Sequence, residues 1–311
     1  MKQIRLILAF TYGTIAFFTL ISLSAEAQNS SKTLKRIIID PGHGGTDPGS
    51  NGKYSTEAAV SLAISLKLEE YFHNAIPDVE VVLTRTTDIF NTVVEKANMA
   101  NAAKGDLFIC IHTNSANASR SREIIGYTNK TYTVKKKGVK RKVTRRVPLY
   151  KTTYTPSTAR GTETFIYNVG KSDQKKDMAN EAVDDVVEKL DSVSEKQIKE
   201  IDAADPTRSM MISLLTQQFF QRAASLALTI EEEFKAAGRL SREAKQRQKG
   251  IWVLAAVQMP AVLVETGFIS NPEDEDYLNS EEGQNQICEV ITKSVIRYKN
   301  SLENQKKTNA N

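Results

Sequence analysis

Residues 36–49 read RIIIDPGHGGTDPG, and the fold is decided there. Arg36-Ile37-Ile38-Ile39 is a short run of mostly β-branched side chains, which predicts a buried strand. Asp40-Pro41 ends it, because proline cannot donate to a ladder. His43 follows among Gly42, Gly44 and Gly45, so the backbone around it can take conformations that other residues resist. A histidine displayed just past the C-terminal end of a buried strand stands where open α/β sheets bind their ligands. A Gly-rich turn with an incidental histidine would look the same, so the rest of the chain must separate the two readings.

Downstream, Ser55 or Thr56 is placed to cap a helix that carries Glu57 in its first turn and Leu62, Leu66 and Phe72 at helical spacing. A carboxylate at a helix N-terminus is also favoured by the helix dipole, which gives Glu57 an ordinary explanation. Val79–Arg85 (VEVVLTR) predicts a second strand and residues 91–102 a helix. Leu107–His112 (LFICIH) predicts a third buried strand, again ending in a histidine. Glu163–Tyr167 resumes the sheet, residues 173–201 form a charged helical segment, and Pro206 opens a longer helix to Ala236. Ile251–Leu254 and Ala261–Glu265 predict two late strands. Asn271-Pro272 starts a short helix, residues 283–298 form the last one, and a polar tail over 300–311 is expected to fray. Strands alternating with helices argue for a three-layer α/β domain.

At 311 residues, with 40% hydrophobic and 25% charged content, the chain has the composition of a soluble globular protein with one sizeable core. Residues 1–27 are set apart as a signal peptide. Lys2 and Arg5 are basic, residues 6–23 are largely apolar, and Ala25 and Ala27 supply small side chains before a cut at Gln28. Residues 28–35 are then a short linker. No later stretch is long and apolar enough to span a bilayer, so the mature protein is expected to be exported, periplasmic or otherwise extracytoplasmic. An uncleaved membrane anchor is the competing reading of that leader. Cys110 and Cys288 are the two cysteines; they can pair in an oxidising compartment, but a thiol inside a strand core is more often simply buried.

The formal charge of +5 is local in origin. Residues 124–162 hold eleven Lys or Arg and no acidic residue, and removing those charges leaves the remainder at −6. This basic insertion, rich in Val, Thr and Tyr, predicts a hairpin or a mobile loop. An anionic wall or membrane component is its expected partner; a solvated loop is the alternative, and no nucleic acid is expected.

Three histidines occur in the chain, and two of them, His43 and His112, stand directly after buried strands. If those strands are neighbours, both imidazoles converge at one sheet edge, and Glu57 can approach the same point. Two imidazoles and one carboxylate make a catalytic zinc set with one position left open for water. Glu265 ends the apolar strand AVLVE, where its carboxylate would face that edge as a base. His73 lies beside Asn74 on the first helix and reads as solvated.

Four motifs in order, RIIIDPGHGGTDPGS, then Glu57, then LFICIHTNS, then MPAVLVETGFISNPED, resemble the zinc-dependent N-acetylmuramoyl-L-alanine amidases of the amidase-3 family. The resemblance spans residues 36–299 apart from the basic insertion. It implies a mixed, mainly parallel sheet of about six strands with helices on both faces. It also implies one zinc ion held by His43, Glu57 and His112, with Glu265 as catalytic glutamate. The expected reaction is hydrolysis of the amide between N-acetylmuramic acid and L-alanine in peptidoglycan, in wall remodelling or daughter-cell separation. Asn114 is a candidate for orienting substrate, or a turn-maker. In relatives that act in cell separation, a helical insertion covers the zinc site until an activator protein displaces it. Residues 173–201 occupy the corresponding place, with Glu181 the candidate inhibitory contact and Asp184 or Asp185 its neighbours. Another zinc hydrolase of wall peptides, or a non-catalytic wall-binding protein, are the competing functions.

Overall fold

The isoleucines of the first strand divide between two cores. In the computed structural model, which describes residues 34–136, 138–155, 157–168, 206–247 and 251–308, β1 spans Arg36–Pro41. Ile37 and Ile39 join one hydrophobic cluster and Ile38 joins the other, as alternation along a strand buried on both faces requires. Each fully buried isoleucine contributes about 1.5–3 kcal/mol.

After β1 come α1 (Glu57–Ala75), β2 (Glu80–Leu83), α2 (Val93–Ala102) and β3 (Leu107–Asn114), then the paired strands β4 (Ser119–Lys136) and β5 (Val139–Thr155) and the short β6 (Thr162–Ile166). The chain continues through α3 (Pro206–Ala236), β7 (Ser241–Gln246), α4 (Trp252–Ala256), β8 (Ala261–Phe268), α5 (Pro272–Asn279) and α6 (Glu281–Thr308). Six strands form one sheet in the order β2-β1-β3-β8-β6-β7. All neighbours pair parallel except β6 with β8. Helices α1, α3 and α6 pack on one face and α2 and α4 on the other. The three-layer, mainly parallel architecture expected from the sequence is what the chain adopts.

The helix starts follow their capping residues. Thr56 caps α1, its side chain accepting from the Ala59 amide, and Thr92 forms a reciprocal capping box with Glu95 at α2. Asn271 caps α5, with Pro272 in the first turn.

Several elements differ from expectation. Residues 251–254, expected as a strand, lie at the start of α4. A short apolar run does not distinguish a buried helix from a strand, and here Val253, Leu254 and Ala256 bury against Ile38 and Phe108. Strand β7 was not expected, since SREAKQ shows no apolar alternation; it is the sheet's edge and most of it is exposed. Strand β2 is shorter than residues 79–85, and β8 runs on to Phe268. Of the expected frayed tail, residues 300–308 are instead the end of α6, where Leu302 is buried, and 309–311 lie outside the described residues. Leu34, expected in the linker, sits in the core. The basic insertion is the hairpin β4–β5 and not a loop. The leader 1–27 and residues 173–201, with Glu181, Asp184 and Asp185, lie outside the described residues.

Candidate metal centre

Strands β1, β3 and β8 are consecutive and parallel, so their C-terminal ends meet at one edge. His43 stands two residues past the end of β1, His112 lies in β3, and Glu265 in β8 is the register partner of His112. Glu57 is the first residue of α1, which packs across the sheet and brings its N-terminus to the same edge. One ligand atom from each of His43, Glu57 and His112 falls within 4.8 Å of the others.

Each side chain is held in place. His43 adopts φ 56°, a left-handed conformation uncommon outside glycine and a mark of strain kept at functional sites. Its Nδ1 lies 2.7 Å from Asp47 Oδ2, which turns Nε2 toward Glu57 Oε1 at 3.3 Å. His112 Nδ1 lies 2.7 Å from the same Glu57 oxygen. The Ser50 amide donates to Glu57 Oε2 at 2.9 Å. The two imidazoles meet edge to face, centroids 5.0 Å apart. Gly42 is required beneath them, because a Cβ there would come within 2.8 Å of the His112 ring atoms. Gly49, at φ 66°, would set a Cβ 2.7 Å from His43 Cδ2 and 2.8 Å from Glu57 Oε2.

The electrostatics match the geometry. The hydrogen bond with Glu57 raises the His43 imidazole to about 9. Burial works against ionisation of Glu57, yet hydrogen bonds from His112 and His43 hold it well below the usual carboxylate range. Two imidazole nitrogens and one buried carboxylate, with Asp47 orienting His43 from behind, are the donor set of a tetrahedral divalent ion with one open position. The residues therefore fit a zinc ion.

Glu265 is 5% exposed, and its Oε2 has no hydrogen-bond partner among the described residues. Burial pushes its carboxyl up to about 7. A carboxyl kept near neutrality beside the donor set has the properties of a general base or acid.

The family model of the N-acetylmuramoyl-L-alanine amidases matches residues 37–297. The chain belongs to this amidase-3 family. It hydrolyses the amide that joins N-acetylmuramic acid to L-alanine in peptidoglycan. It is 26% identical over 271 residues to the N-acetylmuramoyl-L-alanine amidase AmiA of Escherichia coli (strain K12), covering 87% of this chain and 78% of that one. Among solved structures, an N-acetylmuramoyl-L-alanine amidase from Clostridium difficile 630 superposes with a TM-score of 0.51 at 22% identity, over 86% of this chain and 97% of that one. The CwlD amidase from Clostridioides difficile, solved in complex with the GerS lipoprotein, superposes with a TM-score of 0.50 at 22% identity, over 85% of this chain and 98% of that one.

The candidate site rests on charged residues that the sequence did not single out. Asp40, read as the end of a strand, is 2% exposed and is met by Lys96 Nζ at 3.0 Å and the Cys110 thiol at 3.0 Å. Lys96 also donates to the Pro41 carbonyl at 2.6 Å. Arg85 is buried and clamps the loop before His43 to α1, donating through Nη2 to the carbonyls of Gly42 at 2.7 Å and Ala58 at 2.9 Å. On the other side Glu163 of β6 stands across from Glu265. It accepts from Arg242 Nε and Lys245 Nζ, each at 2.8 Å, and from Asn114 Nδ2 at 2.8 Å. Arg247 Nη1 is 3.6 Å from Glu265 Oε1. Asn114 is thus placed on the rim with its amide engaged by Glu163. A sequence signal existed for Asp47, four residues after His43 in a DPG turn; Glu163, Arg242 and Lys245 gave none.

His73 is exposed in the last turn of α1. Cys110 and Cys288 are both free thiols and both buried.

Proposed function

We propose that the amidase works as a zinc enzyme, with His43, Glu57 and His112 holding the ion and Glu265 moving the proton. The observation that carries this reading is the convergence of the three donor atoms beside a buried carboxylate whose Oε2 is unpartnered. Zinc bound there supplies Lewis acidity toward the amide carbonyl and lowers the pKa of a bound water to about 7. Glu57 and the two imidazoles fix the position of that charge, and Asp47 keeps His43 Nδ1 engaged so that Nε2 points inward. Glu265 Oε2 takes a proton from the attacking water as the carbon–oxygen bond forms. It returns that proton to the alanine nitrogen as the carbon–nitrogen bond breaks. Asn114, tied to Glu163, orients the rim of the cleft on the substrate side.

We also infer an extracytoplasmic site of action, in remodelling of the wall or in daughter-cell separation. The leader with Lys2, Arg5 and an apolar stretch supports it, and no described helix is long and apolar enough to cross a membrane. A regulatory protein partner belongs to the same reading, supported by the complex of CwlD with the GerS lipoprotein.

The test is digestion of purified sacculi with and without a chelator, the products identified by mass. Free stem peptides that begin with L-alanine, lost with chelator and restored by zinc, are the expected result. Cut stems would assign the site to a peptidase, and full activity after exhaustive chelation would overturn the zinc reading.

A further inference from the structure

The hairpin β4–β5 is a feature that amide hydrolysis does not use. Its strands are 18 and 17 residues long and pair from Ser119↔Thr155 to Lys136↔Val139 as a two-stranded sheet separate from the main one. At about 3.3 Å per residue it extends roughly 55 Å. Eight successive residues, Val139 to Arg146, are exposed. Two-stranded ribbons are marginal in water without something to pack on, and this one carries twelve Lys or Arg against the single acid Glu123.

The register sorts the side chains onto two faces. One face is marked by Arg146 stacked over Tyr127 at 4.4 Å, Arg122 over Tyr150 at 5.6 Å, and the Thr131–Thr144 hydrogen bond of 2.9 Å, so its exposed tyrosines are largely taken up by guanidinium groups, with Ile124 and Tyr154 exposed toward its base. The opposite face presents Leu149, Val147, Tyr132, Val143, Val134 and Val139. Leu149 and Val139 there are 49% and 56% exposed. Lys130, Arg145 and Arg141 sit between these apolar groups on the same face.

We propose that this second face is a membrane-docking surface that lies flat on an anionic phospholipid bilayer. The cations require an anionic partner by charge complementarity. The row of aliphatic side chains and Tyr132 separates a lipid surface from a polyanionic glycan, which would neutralise the charge and leave those groups in water. Valines, leucine and tyrosine sink to the boundary between headgroup and acyl chain, and each basic residue near the phosphates adds about 1 kcal/mol. The ribbon is one layer thick, so cations on the far face remain within about one Debye length, roughly 8–10 Å, of the headgroups. This goes beyond the amidase reading: it places the catalytic domain beside a membrane and leaves the chemistry unchanged.

The test uses the protein from Gln28 onward, which keeps the whole described fold and removes the apolar leader. Binding is measured by co-sedimentation with phosphatidylglycerol/phosphatidylethanolamine vesicles, with pure phosphatidylcholine vesicles, and with purified sacculi. The expected result is binding to the anionic vesicles at least tenfold tighter than to phosphatidylcholine, weakened about tenfold between 0.1 and 0.5 M salt. V143D/L149D should lose at least tenfold of it, while T133D/T152D, the same change of charge on the other face, loses less than threefold. V143S/L149S serves as the milder pair if aspartates disturb the ribbon. Equal binding to both lipids, or equal losses from both faces, overturns the proposal. Binding to sacculi or to a co-purifying protein without binding to vesicles overturns it as well. Hydrolysis of soluble peptidoglycan fragments by V143D/L149D should stay at the wild-type rate, so failure of the amidase reading registers separately.

Discussion

Glu275 governs the site from a distance. It lies in α5, 1% exposed, and its carboxylate gathers the loop that leads into α1. Oε2 accepts from the Lys53 amide at 2.8 Å; Oε1 accepts from the amides of Tyr54 at 2.9 Å and Ser55 at 3.0 Å and from Ser55 Oγ at 2.9 Å. Two residues later comes Glu57, whose own amide bonds to the Ser50 carbonyl at 2.9 Å while Ser50 donates back to its Oε2. Loosening 52–55 therefore loosens the carboxylate proposed as a ligand. Hydrogen bonds to a charged group contribute about 1.5–3 kcal/mol each. Lys53 and Tyr54 are exposed, so water replaces part of the loss and about 1 kcal/mol per bond is the fitting value. Glu275→Ala should then destabilise by about 3–4 kcal/mol. Glu275→Gln, which turns one acceptor into a donor facing Lys53, should cost about 1–2 kcal/mol. Because Glu57 is held through this loop, zinc affinity should fall about 10–100-fold in the alanine variant.

The pH dependence gives a second readout. Burial opposes ionisation of Glu275, but the amides of Tyr54, Lys53 and Ser55 prevail and hold it below its ordinary 4.5. A depressed folded-state pKa means that its contribution is full above that ordinary value and is lost as pH falls through the folded value. Glu275→Gln should flatten that acid limb. Urea denaturation of metal-free protein at pH 7 and in acid, with zinc competition against a chromophoric chelator, measures both effects. An alanine variant within about 0.5 kcal/mol of wild type, binding zinc equally well, would refute the argument.

Three further outcomes follow from the same contacts. His43→Ala and His112→Ala should each lose zinc and activity together, whereas Glu265→Ala should keep zinc and lose about 10²–10⁴-fold in turnover; metal analysis beside rates would show otherwise if the roles were exchanged. Lys96→Met leaves Asp40 buried without its cation and should cost about 3–5 kcal/mol, with the Asp40→Asn/Lys96→Met double variant less destabilised than the sum of its singles; additivity would dismiss the pair. Burial pushes the Cys110 thiol well above its ordinary value and the Cys288 thiol up to about 12. Both should resist iodoacetamide at pH 8 until the chain is unfolded, and rapid native labelling seen by mass would contradict that burial.

The sequence made some of this legible for a definite physical reason. Strand β1 is short, β-branched and followed at once by Pro41 and glycines, so local chemistry alone marks both its burial and its end. His112 stood out because it ends the apolar run LFICI, and His43 because it stands among glycines just past the end of β1, places where a core side chain has no reason to be an imidazole. Helices α1 and α5 were visible through Ser55 or Thr56 and through Asn271-Pro272, whereas the Thr92–Glu95 capping box of α2 became apparent only in the structure. Where local signals compete, reading failed. IWVLAA offers apolar side chains and no period, and only packing against Ile38 and Phe108 makes it helical. Strand β7 exists because β6 offers it a parallel edge, a fact that no property of SREAKQ announces.

The residues that hold the site were hidden for a different reason. Asp40, Arg85, Lys96, Glu163 and Glu275 are charged types that ordinarily face water, and each is buried here only because a partner far along the chain meets it. Lys96 reaches Asp40 across 56 positions, and Glu275 reaches Ser55 across 220. A reader of the sequence sees the polarity of such residues and not their partners, so the default assignment to the surface is reasonable and wrong. The proposed ligand set escapes this trap because its members sit at element ends that local rules can find. That asymmetry has a mechanical counterpart. The donors come from separate elements, a loop after β1, the first turn of α1 and the end of β3, and local contacts such as Asp47 with His43 and Ser50 with Glu57 orient single donors without tying the elements together. The long-range buried charges do so: Arg85 ties the His43 loop to α1, Lys96 and Asp40 tie it to α2, and Glu275 ties the approach to Glu57 onto α5. Precision at the candidate centre is therefore set in part by partners outside the motifs, Arg85, Lys96 and Glu275, and substitutions there should loosen the metal centre without touching any of its donors.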